Sequence, residues 1–148
     1  MTLKRTNADD ADFRSLVKLL DAELAIRDGD EHLFYSQFNA LDKIKHVVIA
    51  YEEEIPVGCG AIKEYSPDKM EVKRMYVSPD QRKKGIASKL LSELEKWARE
   101  LSYKKCILET GKKQPEAIGL YKKSGYTPIE NYGQYAGVMN SVCFEKEL

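Results

Sequence analysis

The sequence predicts an α/β (α+β) domain built around one mixed, mostly antiparallel twisted sheet. Three observations carry that expectation: three strand-like runs between residues 46 and 77 joined by tight links, a strongly amphipathic helix just after them, and another strand-like run beyond it. Short links between the first three runs make an antiparallel meander, whereas a strand-helix-strand passage returns the chain parallel to the strand it left.

The elements follow in order. "LKRTN" reads as a short first strand. "DDADFRSLVKLLDAELA" then sets Phe13, Leu16, Val17, Leu20 and Leu24 on one helical face behind an Asp9/Asp10 cap, with Gly29 of "RDGD" as its stop. "EHLFYSQFNALDKI" resumes helical spacing with Leu33, Phe34, Phe38 and Leu41, so a second helix is expected before the sheet. "HVVIAYE", "IPVGCGAIKEY" and "KMEVKRMYV" are the meander, rich in β-branched and apolar residues. "IASKLLSELEKWAREL" places Ile86, Leu90, Leu94, Trp97 and Leu101 on one stripe with charges opposite. "KKCILET" is the strand of the crossover. In "QPEAIGLYKKSG", Pro115 suits a first helical turn and Gly125 a C-terminal stop. "YTPI" and "VCFEKEL" close the chain as two strands around the loop "ENYGQYAG". The expected order is β-α-α-β-β-β-α-β-α-β-β, with six to seven strands and about four helices.

At 148 residues and 43% hydrophobic content, the chain reads as one domain over 1–148 with ample material for a core. Lys plus Arg equals Asp plus Glu at 24 each, and the pI is near 6.7, so no overall field favours nucleic acid or an anionic membrane. The start, "MTLKRTNADD", lacks a signal-peptide core, and no apolar run reaches membrane-spanning length, so a cytoplasmic protein is expected. Cys59, Cys106 and Cys143 are far apart among apolar residues. Their spacing matches neither a zinc site nor a disulfide framework, so no metal is expected and buried thiols are.

Chemistry is most concentrated in "VSPDQRKKGIASKLL". This stretch leaves a strand, opens the amphipathic helix, and keeps Gly85 and Ala87 small. A helix start offers unpaired N–H groups and the positive end of the dipole, and Arg82, Lys83, Lys84 and Lys89 add charge beside it, an arrangement suited to a diphosphate. The turn alone also fits a solvated chain reversal. There is no G-x-x-x-x-G-K-[ST], and "GCGAIK" runs inside a strand, so the common nucleotide fingerprints are missing.

"MYVSPDQRKKGIASKLL" resembles the acyl-CoA-binding motif of the GCN5-related N-acetyltransferase (GNAT) superfamily, [QR]-x-x-G-x-[GA], here from Arg82 through Gly85 to Ala87. About thirty residues on, "QPEAIGLYKKSGY" resembles the superfamily's second motif, with Ala117, Leu120, Tyr121, Gly125 and Tyr126 in place and Gln114 where Asn is usual. The likeness runs from about residue 46 to the end and implies the GNAT fold.

It also implies roles. The strand before the loop would splay from its parallel neighbour and receive the pantetheine arm on the backbones of Met75, Tyr76 and Val77. N–H groups from Lys83, Lys84, Gly85, Ile86, Ala87 and Ser88 would hold the pyrophosphate of acetyl-CoA, Arg82 would add charge, and a side chain at Gly85 would obstruct that approach. Gln114 would line the same site. An alkylammonium near pKa ~10.4 must lose a proton before it attacks a thioester, and Glu71 is the candidate base; it also reads as an exposed strand residue paired to Lys73 or Lys69. Tyr121 matches the general acid that reprotonates the leaving thiolate, and it also reads as a core aromatic. An N–H at Met75 to Val77 would stabilise the oxyanion.

By the same likeness the acceptor site lies between "IRDGDEH" and "NYGQYAG", with Arg27, Asp28, Asp30, Glu31, His32, Tyr132 and Tyr135 as candidates. The leading expectation is an acetyl-CoA-dependent N-acetyltransferase acting on a small-molecule amine. A protein or peptide N-acetyltransferase, a non-catalytic acyl-CoA sensor with a protein partner and a nucleotide module unrelated to CoA are the other readings. Neither nucleic acid nor membrane is an expected partner, and a homodimer is compatible with strand edges near the C-terminus.

Overall fold

The computed structural model describes residues 1–29 and 44–148; the expected second helix, Asp30, Glu31 and His32 lie outside them. The elements are β1 (Thr2–Thr6), α1 (Ala11–Asp28), β2 (His46–Glu52), β3 (Ile55–Ser66), β4 (Lys69–Val77), α2 (Ile86–Glu100), β5 (Lys105–Gly111), α3 (Pro115–Lys123), β6 (Thr127–Ile129) and β7 (Ser141–Glu147). Three α-helices therefore stand among the described residues. All seven strands form one sheet in the order β1-β2-β3-β4-β5-β7-β6, with β4–β5 its single parallel pair.

Strand alternation sorts the core into two layers. Val47, Ile49, Cys59, Ala61 and Tyr76 face α1, which presents Phe13, Leu16, Val17 and Leu20. Val48, Ala50, Ile62, Met70, Val72 and Phe144 face the other way, against Ile86, Leu90, Leu91 and Leu94 of α2 and Tyr121 of α3. The caps act as the sequence suggests. Asp10 Oδ1 accepts from the N–H of Asp12 at 2.9 Å and of Phe13 at 3.4 Å, and Gly29, at φ 56°, closes α1 by donating to the Ala25 carbonyl. Asp10, not Asp9, is the cap. No described helix is long and apolar enough to cross a membrane.

One charged residue breaks the expected pattern of α2. Glu95 is buried, and its carboxylate accepts from the Tyr126 hydroxyl and the Lys146 ammonium, each at 2.9 Å. That pairing ties α2 to the end of α3 and to β7, and satisfies a carboxylate that burial would otherwise penalise.

α2 lies close against β3 because Gly58 and Gly60 stand beneath it. A Cβ at Gly58 would come within 2.9 Å of the Tyr76 carbonyl and 3.2 Å of Leu90 Cδ1, and the carbonyl, being backbone, has little room to give. Gly58→Ala is therefore expected to destabilise the protein by about 1–3 kcal/mol in urea unfolding; an unchanged midpoint would mean that β4 shifts freely there.

Candidate functional site

β4 and β5 pair only at Lys69–Lys105, Met70–Cys106 and Glu71–Ile107. Beyond Glu71 no pairing joins them, although β4 continues to Val77 and β5 to Gly111. The opened edge forms one wall of a cleft of about 730 Å³, which α1, the 78–88 loop and α3 complete. A β-bulge stands at its apex. Cys59 pairs with Tyr76 and Ala61 with Lys73, so Gly60 faces two residues, Arg74 and Met75, and Arg74 takes φ 59°. The Cys59 thiol donates to the Arg74 carbonyl at 3.4 Å and fastens the bulge from β3.

The basic loop joins this cleft at one end. A 3₁₀ turn over Pro79–Gln81 leads to Lys83 at φ 65° and Gly85 at φ 79°, and backbone of this kind turns successive N–H groups toward one concavity. Gly85 is the N-cap of α2, and no side chain caps the first turn, so its amides are left for a ligand. A Cβ on Gly85 would meet no protein atom within 4 Å, so in the protein itself the demand for glycine is conformational rather than steric. The Arg82 guanidinium donates to the Val77 carbonyl at 2.8 Å and to Glu23 of α1 at 2.7 Å, and stacks over Tyr76. Of the expected acyl-CoA residues, Met75, Tyr76, Val77, Arg82, Lys83, Gly85, Ile86, Ala87, Ser88, Gln114 and Tyr121 all line the cleft. Lys84 does not; its ammonium lies 3.2 Å from Gln81 Oε1 on the exposed side. These residues suit a long, diphosphate-bearing ligand such as acetyl-CoA: a polar strand edge, uncapped amides and local cations follow one another along one cleft.

Both expected proton-transfer groups border the same space. Tyr121 is 6% exposed, and burial, seconded by the Glu109 carboxylate, pushes its phenol above the usual range. Glu71 is 7% exposed, not the exposed strand residue that its alternative reading required. Its Oε2 accepts from the Tyr132 hydroxyl at 2.6 Å, and Lys73 Nζ lies 3.7 Å from its Oε1. The sequence reading missed Glu109. Because Glu71 is level with Ile107, Glu109 two residues on shares the Glu71 face, and it too lines the cleft. The alternation in "CILET" carried that signal once β5 was set parallel to β4. Arg74 was missed as well, since a bulge leaves no mark in a period-two pattern.

The acceptor candidates divide. Tyr135 is on the cleft wall; its phenol is pushed up by burial and then by Glu109 and Glu71. Tyr132 is not on the wall and stands behind Glu71 as its hydrogen-bond donor, with an edge contact to Tyr135 at 5.8 Å between ring centres. Arg27 is held among Glu23 at 3.5 Å, the carboxylate of Glu116 and the Lys113 carbonyl at 3.5 Å, so it bridges α1 to the start of α3. Asp28 ends α1. The three cysteines are free and buried, and burial raises Cys59 and Cys106 to about 12 and Cys143 to about 11, which leaves them protonated.

The profile of the Acetyltransferase (GNAT) family matches residues 13–126. An IAA acetyltransferase of Azospirillum brasilense is 36% identical over 118 residues, covering 79% of this chain and 76% of that protein. A Klebsiella pneumoniae structure assigned as an acyl-CoA N-acyltransferase superposes with a TM-score of 0.83 at 31% identity, over 99% of this chain and 97% of that one. The fold is also shared with an Elizabethkingia anophelis GNAT acetyltransferase solved with acetyl-CoA bound, at a TM-score of 0.72 and 18% identity over 99% and 97% of the two chains.

The left-handed backbone at Gly85 sets a test of the loop's own geometry. Gly85→Ala should cost about 1 kcal/mol of stability, and Gly85→Asn, whose side chain tolerates that conformation, less. Equal losses in urea unfolding would show that something other than φ selects glycine.

Proposed function

Because the chain belongs to the GNAT family of acetyltransferases, we propose that it is an acetyl-CoA-dependent N-acetyltransferase that acts on a primary amine of a small molecule by direct attack in a ternary complex. The observation that carries this reading is the continuity of the opened β4 edge with an uncapped helix start, within a cleft that also holds Tyr121, Glu71 and Glu109. Acetyl-CoA supplies the thioester carbon that the amine attacks.

The chain's own groups divide the work. Backbone groups of Met75, Tyr76 and Val77 offer the hydrogen bonds that β5 does not take, and orient the acyl arm as an added strand would. Amides of residues 83–88 and the Arg82 guanidinium hold the diphosphate, which displaces Glu23 from Arg82. A carboxylate removes the ammonium proton from the acceptor; Glu71, held by Tyr132 and Lys73, and Glu109, on the same face, both border the cleft for this task. Tyr121, kept protonated by its surroundings, donates from its hydroxyl to the leaving sulfur.

Calorimetric titration with acetyl-CoA tests the foundation. The wild type should bind and a folded Gly85→Glu variant, with bulk and negative charge in the amide cradle, should not; absence of wild-type binding would remove the enzyme reading. Tyr121→Phe is expected to lower kcat by about 10²–10⁴ while acetyl-CoA affinity stays within a few-fold. Equal losses in both would make Tyr121 a packing residue. Glu71→Gln and Glu109→Gln separate the two carboxylates: the base variant loses the acidic limb of the kcat/KM profile, and the other keeps it. Binding without turnover on any amine would favour an acyl-CoA sensor.

A further inference from the structure

We propose that the acceptor is an amine that also carries a carboxylate, and that Arg74 receives that carboxylate; this rests on the reading of the chain as an amine acetyltransferase. The bulge makes Arg74 the extra residue of β4, out of step with the strand, and turns its side chain toward α1, where its guanidinium meets Asp21. That side chain is only 2% exposed, yet its sole described charge partner is 49% exposed, so the neutralising carboxylate is itself open to solvent. Arg74 Nε is buried and, among the described residues, has no hydrogen-bond partner. A buried guanidinium with an open donor is costly, and a residue held at positive φ adds to that cost; features of this kind cluster at ligand-binding sites.

Its location sets the ligand. Arg74 lines the cleft between Lys73 and Met75, up-strand of the loop, while Arg82 and Lys83 occupy the loop end. Glu71 and Glu109 border the same cleft from β4 and β5. Lys73 borders the cleft as well but lies 3.7 Å from Glu71, so Arg74 and the two carboxylates suit a molecule with one group of each sign: its ammonium toward the glutamates, its carboxylate on the Arg74 N–H. A planar carboxylate matches a guanidinium edge better than it matches an ammonium, which makes Arg at this position more than a source of charge.

Thiol release from acetyl-CoA would be measured with L-amino acids, their carboxamides, the amines lacking the carboxyl group, and phosphoethanolamine. The acids should exceed the amides in kcat/KM by about 10- to 100-fold. Arg74→Gln should erase that preference through KM for the acids and leave the amides within a few-fold, and Arg74→Lys should restore part of it. Asp21→Asn, which cuts the tether to α1 but keeps the cation, should retain the preference. Should Arg74→Gln fail to fold, judged by urea unfolding and acetyl-CoA titration, the wild-type ratio and Arg74→Lys decide. Amides accepted as well as acids, or phosphoethanolamine alone accepted, would overturn the inference and leave the acetyltransferase reading standing. No turnover on any amine would overturn both.

Discussion

The site depends on hydrogen bonds that β4 does not make. A strand inside a sheet normally satisfies both edges, and buried backbone groups left unpaired are costly. After three paired positions β4 leaves β5, and from Val72 to Val77 one edge has no neighbouring strand. The other edge holds β4 in place: β3 pairs along most of its length, the Ser78 N–H donates to the Val57 carbonyl at 2.8 Å, and Gly58 and Gly60 let α2 press on the sheet from one side. A rigid strand with one open edge is a template for an extended ligand, and its end leads directly to the helix start that can take an anion.

Charge around the cleft is arranged for exchange rather than for permanent pairing. Glu23 accepts from Arg82 while lying 3.5 Å from Arg27, and Arg27 reaches on to Glu116 and the Lys113 carbonyl. This chain links α1, the basic loop and α3 around the cleft. Its members are partly exposed, so each contact is of the kind that water and a competing anion can replace at small cost. In the proposed binding mode, an incoming diphosphate needs only to outcompete one carboxylate for Arg82. The Glu95 cluster behaves differently: it is buried, joins three elements, and contributes to fixing α3 on which Tyr121 stands.

What the sequence made legible was periodic. Among the described residues, strand and helix limits fall within a few residues of their expected places, because alternation and helical spacing report burial directly. The exceptions are residues whose roles come from partners distant in sequence. Glu95 reads as a solvated helix position, but Tyr126 and Lys146, 31 and 51 residues away, make it a core residue. Tyr132 was singled out by the family likeness as an acceptor-site candidate, and its hydroxyl donates to Glu71 from 61 residues away. Arg74 was hidden because one inserted residue changes which face a side chain takes without changing the composition of the strand. The loop and Tyr121 were singled out through motif resemblance; spacing alone left both open to ordinary structural readings.

The raised phenol of Tyr121 bears on whether it can serve as an acid at all. In water a tyrosine is a weaker acid than a thiol, with reference values of about 10 and 8.5, so proton transfer from Tyr121 to a thiolate would run uphill, and burial that raises the phenol further worsens the mismatch only if the thiolate keeps its aqueous value. Desolvation acts on both partners. It disfavours any anion, and the thiols of Cys59 and Cys106 in the adjoining core rise to about 12 for that reason. In the proposed reaction, a thiolate forming beside the buried Tyr121 would meet a penalty of the same kind. The two proton affinities then approach each other, and transfer along a short hydrogen bond becomes nearly balanced. In the proposed reaction, burial would thus keep Tyr121 protonated until the sulfur leaves and make that sulfur basic enough to take the proton.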